Sequence, residues 1–254
     1  MGLLLGESGH TLSHLHRAVA GKKSLSSLSR FFSEAPWDHH SVNQYNFSRF
    51  RGVMQEKIDE ERQRKYTEVK KQKRGGRRSV PPVTGYLIGD DSTMFKPKGV
   101  KMQGIGKHHC TTHKTQVIGH SLVEALYTVL GRSCPLEPLL YRQKKTAEKE
   151  EVPFISKIDL MIQQIQNFIP LSGTVTHVLL DSWYNCKTIW KTAIGRGFKI
   201  TTGIKRNRWL RVSCEVTSDT PKGWKWQRLD DYAASLPEGA YQQCSCPRNP
   251  KEKV

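Results

Sequence analysis

Apolar residues in the first third of the chain recur at helical intervals. Leu12, Leu15 and Val19, then Leu25, Leu28, Phe31 and Phe32, predict helices within residues 9–70. Gly21-Lys22-Lys23 separates two segments, and Glu34-Ala35-Pro36-Trp37-Asp38 makes a second break, with Asp38 placed to cap the next helix. That long polar helix is expected from Ser41 to Val69, almost all charge beyond Glu56. This stretch reads as a small helical module with a solvated connecting helix. From Val83 the pattern changes. Thr84 to Gly89 is a buried strand, followed by two more strands at Thr115–Gly119 and Ser121–Leu130. Pro153 to Ile169 places Phe154, Ile158, Met161, Ile162, Ile165 and Phe168 on helical spacing. Thr174 to Leu180 is a short branched apolar run of the kind found in central strands. Asn185 to Gly195 is helical and Phe198 to Ile204 is a strand. Residues from Trp209 read as mixed strands and turns, with Trp224 and Trp226 alternating as in a strand. The order of strand, strand, strand, helix, strand, helix, strand defines an α/β domain with a mixed sheet.

Charge changes the picture most. Of 254 residues, 41 are Lys or Arg and 23 are Asp or Glu, a formal net charge of +18. Such an excess points to a polyanionic partner, nucleic acid first. The run from Lys70 to Arg78, which contains Arg74, Arg77 and Arg78, precedes Pro81-Pro82. It suits a solvated linker, and a flexible basic linker can also track a DNA backbone. Six cysteines without repeated spacing fit reduced thiols in a cytosolic protein. No apolar run approaches the roughly 20 residues of a membrane span. Ser8 to Phe32 is Ser-rich, basic and short of acids, which also suits a transit peptide, although the same residues form a plausible helical unit.

Two carboxylates follow apolar strand runs. Asp91 lies in Tyr86-Leu87-Ile88-Gly89-Asp90-Asp91-Ser92-Thr93, and Asp181 in His177-Val178-Leu179-Leu180-Asp181-Ser182-Trp183-Tyr184. Ligand sites in such sheets gather at strand ends. On neighbouring strands the two carboxylates would stand about 5 Å apart. One ion with bonds of about 2.1 Å to oxygen could then bridge them. A second ion would need a further carboxylate, and a pair of ions serves phosphodiester chemistry. The alternative is that each aspartate is a cap or turn residue. Two of them in this element order, on so basic a chain, favour the metal reading. His108-His109-Cys110 with His113 has zinc-type ligands but lacks paired spacings, so a loop or hairpin near DNA fits better beside Lys96, Lys98, Lys101 and Lys107. Lys205, Arg206 and Arg208 follow a strand and suit either an exposed turn or phosphate contacts. Trp183 and Tyr184 suit packing better than base stacking.

The element order and the two aspartates resemble the ribonuclease-H-like catalytic domain of DDE transposases. In particular the chain resembles the cut-and-paste transposases of bacterial insertion sequences, the branch with a β-rich insertion. The resemblance rests on Ser27-Leu28-Ser29-Arg30-Phe31-Phe32-Ser33-Glu34-Ala35-Pro36-Trp37, Gly89-Asp90-Asp91-Ser92-Thr93 with Lys96, Gly104-Ile105-Gly106-Lys107-His108-His109, Gly119-His120-Ser121-Leu122, Leu180-Asp181-Ser182-Trp183-Tyr184 and Ile204-Lys205-Arg206-Asn207-Arg208. It implies Asp91 as the first catalytic, metal-binding aspartate, with Asp90 as the alternative, and Asp181 as the second. It implies Mg2+ or Mn2+, and double-stranded DNA as transposon ends and as target. DNA contacts are expected from Arg74, Arg77, Arg78, Lys96, Lys98, Lys107, Lys205, Arg206 and Arg208. It also implies a homodimer on paired ends and a cytoplasmic, nucleoid-associated protein. The expected division is a helical DNA-binding module and basic linker at 1–78, a catalytic core at 79–208 and an incomplete β-rich insertion at 209–254, whose core would hold Trp209, Trp224 and Trp226. The family's final glutamate has no match, since Glu215, Glu238 and Glu252 lie in no convincing amphipathic helix. The expectation is therefore a truncated transposase copy, an endonuclease and strand transferase by family. The alternative is a non-catalytic DNA-binding remnant.

Overall fold

The computed structural model describes residues 24–34, 36, 38–72, 82–99, 101–110, 114–217 and 222–237, with 13, 16 and 17 besides. It divides into two units, Met1–Ser48 and Arg49–Val254. In the first unit, α1 spans Leu25–Glu34 and buries none of its residues. Ser24 caps it, its Oγ accepting from the Ser27 amide at 3.1 Å. Helix α2, His39–Gln72, begins in this unit. Asp38 caps α2 as its sequence position suggests, accepting from the amides of His40 at 3.1 Å and Ser41 at 2.9 Å. The Ser41 hydroxyl adds a third bond, and these contacts lower the Asp38 pKa to about 2.

The second unit is built on a seven-stranded mixed sheet. Its strands are β1 (Val83–Phe95), β2 (Gly106–Cys110), β3 (Thr115–Val129), β4 (Arg132–Pro135), β5 (Leu139–Tyr141), β6 (Thr174–Leu180) and β7 (Lys199–Thr202). Strand β3 lies antiparallel to β1 on one side. Along its other side, β2, β5 and β4 pair end to end. Beyond β1 come β6 and then β7, both parallel. Where two strands were expected, Thr115 to Val129 forms one continuous strand. Gly119 permits this, because a Cβ there would lie 2.2 Å from the Met94 carbonyl oxygen of β1. The turn from β3 to β4 uses Leu130 (φ 49°) and Gly131 (φ 72°), the doubly left-handed turn that suits a tight hairpin.

Alternation along β1 and β6 selects the face that becomes core. Leu87 pairs with Val178 in register, and both are buried. Over this face lie α4 (Lys157–Asn167), through Met161 and Ile165, and α5 (Lys187–Gly195), through Ile189 and Ala193. Each fully buried aliphatic side chain stabilises the fold by about 1.5–3 kcal/mol. Short α3 (Lys144–Lys149) buries Ala147, and Ser156 caps α4 through the Asp159 amide. The opposite face leaves Tyr86 and Ile88 partly exposed among the described residues. This layered arrangement is ribonuclease-H-like, with a helical region ahead of it.

Helix α2 is more than a solvated connector. Met54 and Ile58, one turn apart, are buried, and Phe50 packs edge-on against Tyr127 of β3. Gln55 donates to the Ser172 carbonyl at 3.2 Å. Its sparse apolar positions form a narrow stripe within a charged run, so charge density hides the core contact. Strands β8 (Trp209–Ser213) and β9 (Trp224–Arg228) make a separate two-stranded ladder, followed by α6 (Leu229–Ser235). Trp209 and Trp226 are exposed rather than core, since two strands alone provide no second layer. Among the described residues, no helix is long and apolar enough to cross a membrane.

The sheet makes a sharp stability prediction. A Cβ on Gly85 would lie 2.1 Å from the hydroxyl of fully buried Tyr127. Gly85→Ala should therefore cost roughly 1–3 kcal/mol. Gly52, on an exposed part of α2 with nothing within 4 Å of its Cβ position, should gain roughly 0.5–1 kcal/mol as Ala. Thermal melts should move in opposite directions, and equal shifts would contradict the packing described.

Candidate active site

The parallel ladder of β1 and β6 ends at Gly89 and Leu180. Continuing each strand by one residue reaches Asp90 and Asp181, and one residue further along β1 is Asp91. The carboxylates thus gather where the two central strands stop pairing. Strand β1 runs on to Phe95, held there by β3 alone, so Asp91 is inside a strand rather than at its end. Alternation turns Asp90 outward and brings Asp91, half-buried, to the helix-covered face.

Asp181 closes β6 and caps a 3-10 turn over Ser182–Tyr184. Its Oδ1 accepts from the amides of Trp183 at 2.9 Å and Tyr184 at 3.3 Å. Among the described residues, Oδ2 accepts no protein hydrogen bond. The cap reading and a ligand role are compatible, because each uses a different oxygen. The turn sends Tyr184 into the core and Trp183 outward, 55% exposed. Packing therefore describes Tyr184 and not Trp183.

The Tyr184 hydroxyl donates to Asp91 Oδ1 at 3.3 Å. Burial raises its pKa well above the ordinary tyrosine range, and the charges of Asp91, Asp90 and Asp181 add to the shift. The phenol is thus a fixed proton donor to Asp91 that also feels the charges of Asp90 and Asp181. The other Asp91 oxygen, Oδ2, accepts from Lys157 Nζ at 2.5 Å. Lys157 opens α4, and its ammonium lies 5.3 Å from the Tyr141 ring centre. Lys157 is absent from the candidates that the sequence offers. Its one available signal is a lysine in the first turn of a helix, against the preference for acids there.

The candidate DNA-contacting residues divide. Lys205, in the segment after β7, places its ammonium 4.4 Å from the Trp183 ring centre. Asn185 ties the same segment to the 3-10 turn through the Gly203 carbonyl at 2.9 Å. Lys205 is therefore beside the turn that Asp181 caps, with Arg206 and Arg208 exposed just beyond. Lys96 follows β1 directly, its amide bonded to the Ile118 carbonyl at 2.8 Å, whereas Lys98 and Lys107 are exposed on the turn and on β2. Arg74, Arg77 and Arg78 lie outside the described residues.

The histidine cluster does not converge. Strand alternation buries His108 and exposes His109, so their rings leave opposite faces of β2. His113 lies outside the described residues. His108 Nε2 has no hydrogen-bond partner among the described residues. Burial first, then the Lys157 charge, lowers its pKa and favours the neutral ring. Among the described residues, the one group of three close enough to hold a metal is Asp38, His39 and His40, and Asp38 already caps α2.

Fold and site together define an α/β domain with an acidic cluster at the end of its central parallel strands. No family model matches the chain, and no curated protein matches it. One solved structure is similar, the cryo-EM structure of a piggyBac transposase synaptic complex with hairpin DNA. The likeness covers 48% of this chain and 23% of that one, at 13% identity and a TM-score of 0.33. At that level it carries no argument about this chain.

Tyrosine ionisation tests the site geometry. An ordinary tyrosine titrates near about pH 10. Tyr184→Phe and the unaltered chain should show the same ultraviolet ionisation change up to about pH 11, since Tyr184 stays protonated there. A smaller change in the variant would mean that the phenol is neither buried nor facing carboxylates.

Proposed function

We propose that this chain contains the catalytic core of a DDE transposase of the insertion-sequence type. The observation that supports this most is the meeting of Asp91 and Asp181 at the end of the parallel β1–β6 ladder. The motif resemblance and the charge of +18 support it further.

Asp91 and Asp181 would hold Mg2+ or Mn2+. The donors suit such an ion: they are hard carboxylate oxygens, and Asp181 Oδ2 is free of hydrogen bonds among the described residues. A bound ion would supply charge stabilisation to the attacking and leaving oxygens. In the proposed hydrolysis, water attacks phosphorus, the bond to the 3′ oxygen breaks, and that oxygen leaves as a hydroxyl. In strand transfer the 3′-hydroxyl attacks a target phosphodiester and displaces its 3′ oxygen. A third carboxylate, as the resemblance implies, would complete the set.

The chain's own residues have definable parts. Tyr184 orients the Asp91 carboxylate through its hydroxyl. The Asp181 cap fixes that side chain against the 3-10 turn. Lys205, Arg206 and Arg208 would take phosphates beside Asp181, and Lys96, Lys98 and Lys107 would do so near β1. Double-stranded DNA is the proposed partner, with a homodimer on paired ends and a division into helical module, core and β-rich segment following from the same reading.

Nicking of supercoiled plasmid in Mn2+ tests the proposal. We expect nicking that falls by about 100-fold or more in both Asp91→Ala and Asp181→Ala. Salt-sensitive DNA binding should persist in both. Lys205→Ala should reduce the slope of log affinity against log salt by about one. Binding without any Asp-dependent nicking would instead favour a non-catalytic DNA-binding protein.

A further inference from the structure

We propose that Lys157 is a tethered cation that competes with the metal ion for Asp91 and so sets the site's metal affinity. The inference rests on the reading of Asp91 and Asp181 as metal ligands given above.

Three observations lead to it. First, the Lys157 ammonium is 2.5 Å from Asp91 Oδ2, and both side chains are about three-quarters covered, at 22% and 24% exposure. Screening by water is weak at such a site, so the two charges interact more strongly than a surface pair does. Second, the other Asp91 oxygen already accepts from Tyr184. An ion on Asp91 must therefore share one oxygen with a phenol or the other with an ammonium. Third, Lys157 sits where its own helix disfavours it. The first turn of α4 carries the positive end of the helix dipole, and Asp159 in the same turn suits that end. The lysine is held there by Asp91 and by the Tyr141 ring, not by helix preference.

The surrounding groups sharpen the competition. Asp181 offers an oxygen without a partner among the described residues, so the site is asymmetric. One carboxylate is open to a cation, and the other already faces one. An incoming divalent ion brings twice the ammonium's charge and binds oxygen at about 2.1 Å. It can prevail, but only after the ammonium moves away. The four-carbon stem of lysine permits that movement. His108, its pKa lowered by burial and then by the Lys157 charge, is disfavoured as a second cation against the pair.

The test is Mn2+ binding to the full chain without DNA, followed through the electron paramagnetic resonance signal of free Mn2+. Lys157→Met should bind Mn2+ about tenfold more tightly or better, because the competing charge is gone. Lys157→Arg, which keeps the charge, should stay close to the unaltered chain. Lys157→Met should also melt lower without Mn2+ and show the larger rise in Tm on saturation, since tighter binding stabilises more. Asp91→Asn should weaken binding in every background. If Lys157→Met leaves an Asp91-dependent affinity unchanged, competition is overturned while the metal reading stands. If no variant shows Asp91-dependent binding, the metal reading itself fails.

Discussion

The parallel pairing of β1 with β6 is the constraint on which the site depends. Its register, with Gly89 opposite Leu180, brings three aspartates to one end of the sheet. A shift by one residue would turn Asp91 from the helix-covered face to the open one. Buried Val83 and Leu87 resist that shift, because it would carry both out of the core together with Asp91. The apolar part of the two strands therefore fixes the placement of the polar part.

Gathering carboxylates is costly unless cations or hydrogen bonds answer them. Each aspartate has a different answer here. Asp90 accepts from the Asp91 amide at 2.8 Å, Asp181 accepts two amides of the 3-10 turn, and Asp91 faces an ammonium and a phenol. Of the three, Asp91 alone is answered by a full positive charge among the described residues. Lys157 comes from α4, so the helix that packs the core also governs the electrostatics of the site. Stability and chemistry thus share one element, since Met161 of α4 packs near Gly89 while Lys157 reaches Asp91.

Much of the fold was legible because its central elements obey simple periods. Thr174 to Leu180 is a strand with the bounds its branched apolar run predicts. Lys157–Asn167 and Lys187–Gly195 fall inside the helices predicted there, and from Pro153 onward the order of helix, strand, helix, strand is as expected. Short edge strands were not legible. Strands β2 and β4 hold few apolar residues and β5 is only three residues long, so their pairing with β3 is set by turns and not by pattern. The core contact of α2 was hidden for a related reason, since Met54 and Ile58 stand alone among charges.

By itself the sequence determined the α/β class, the basic character and the two aspartates after apolar runs, because periodicity and charge are local properties. Tertiary structure alone decided that β1 and β6 are neighbours, that Tyr184 points inward while Trp183 points out, and that Lys157 meets Asp91. These relations join residues far apart in the chain. They follow from strand order, register and the side on which α4 packs. No short window of sequence encodes them, because each depends on how distant elements share one buried face.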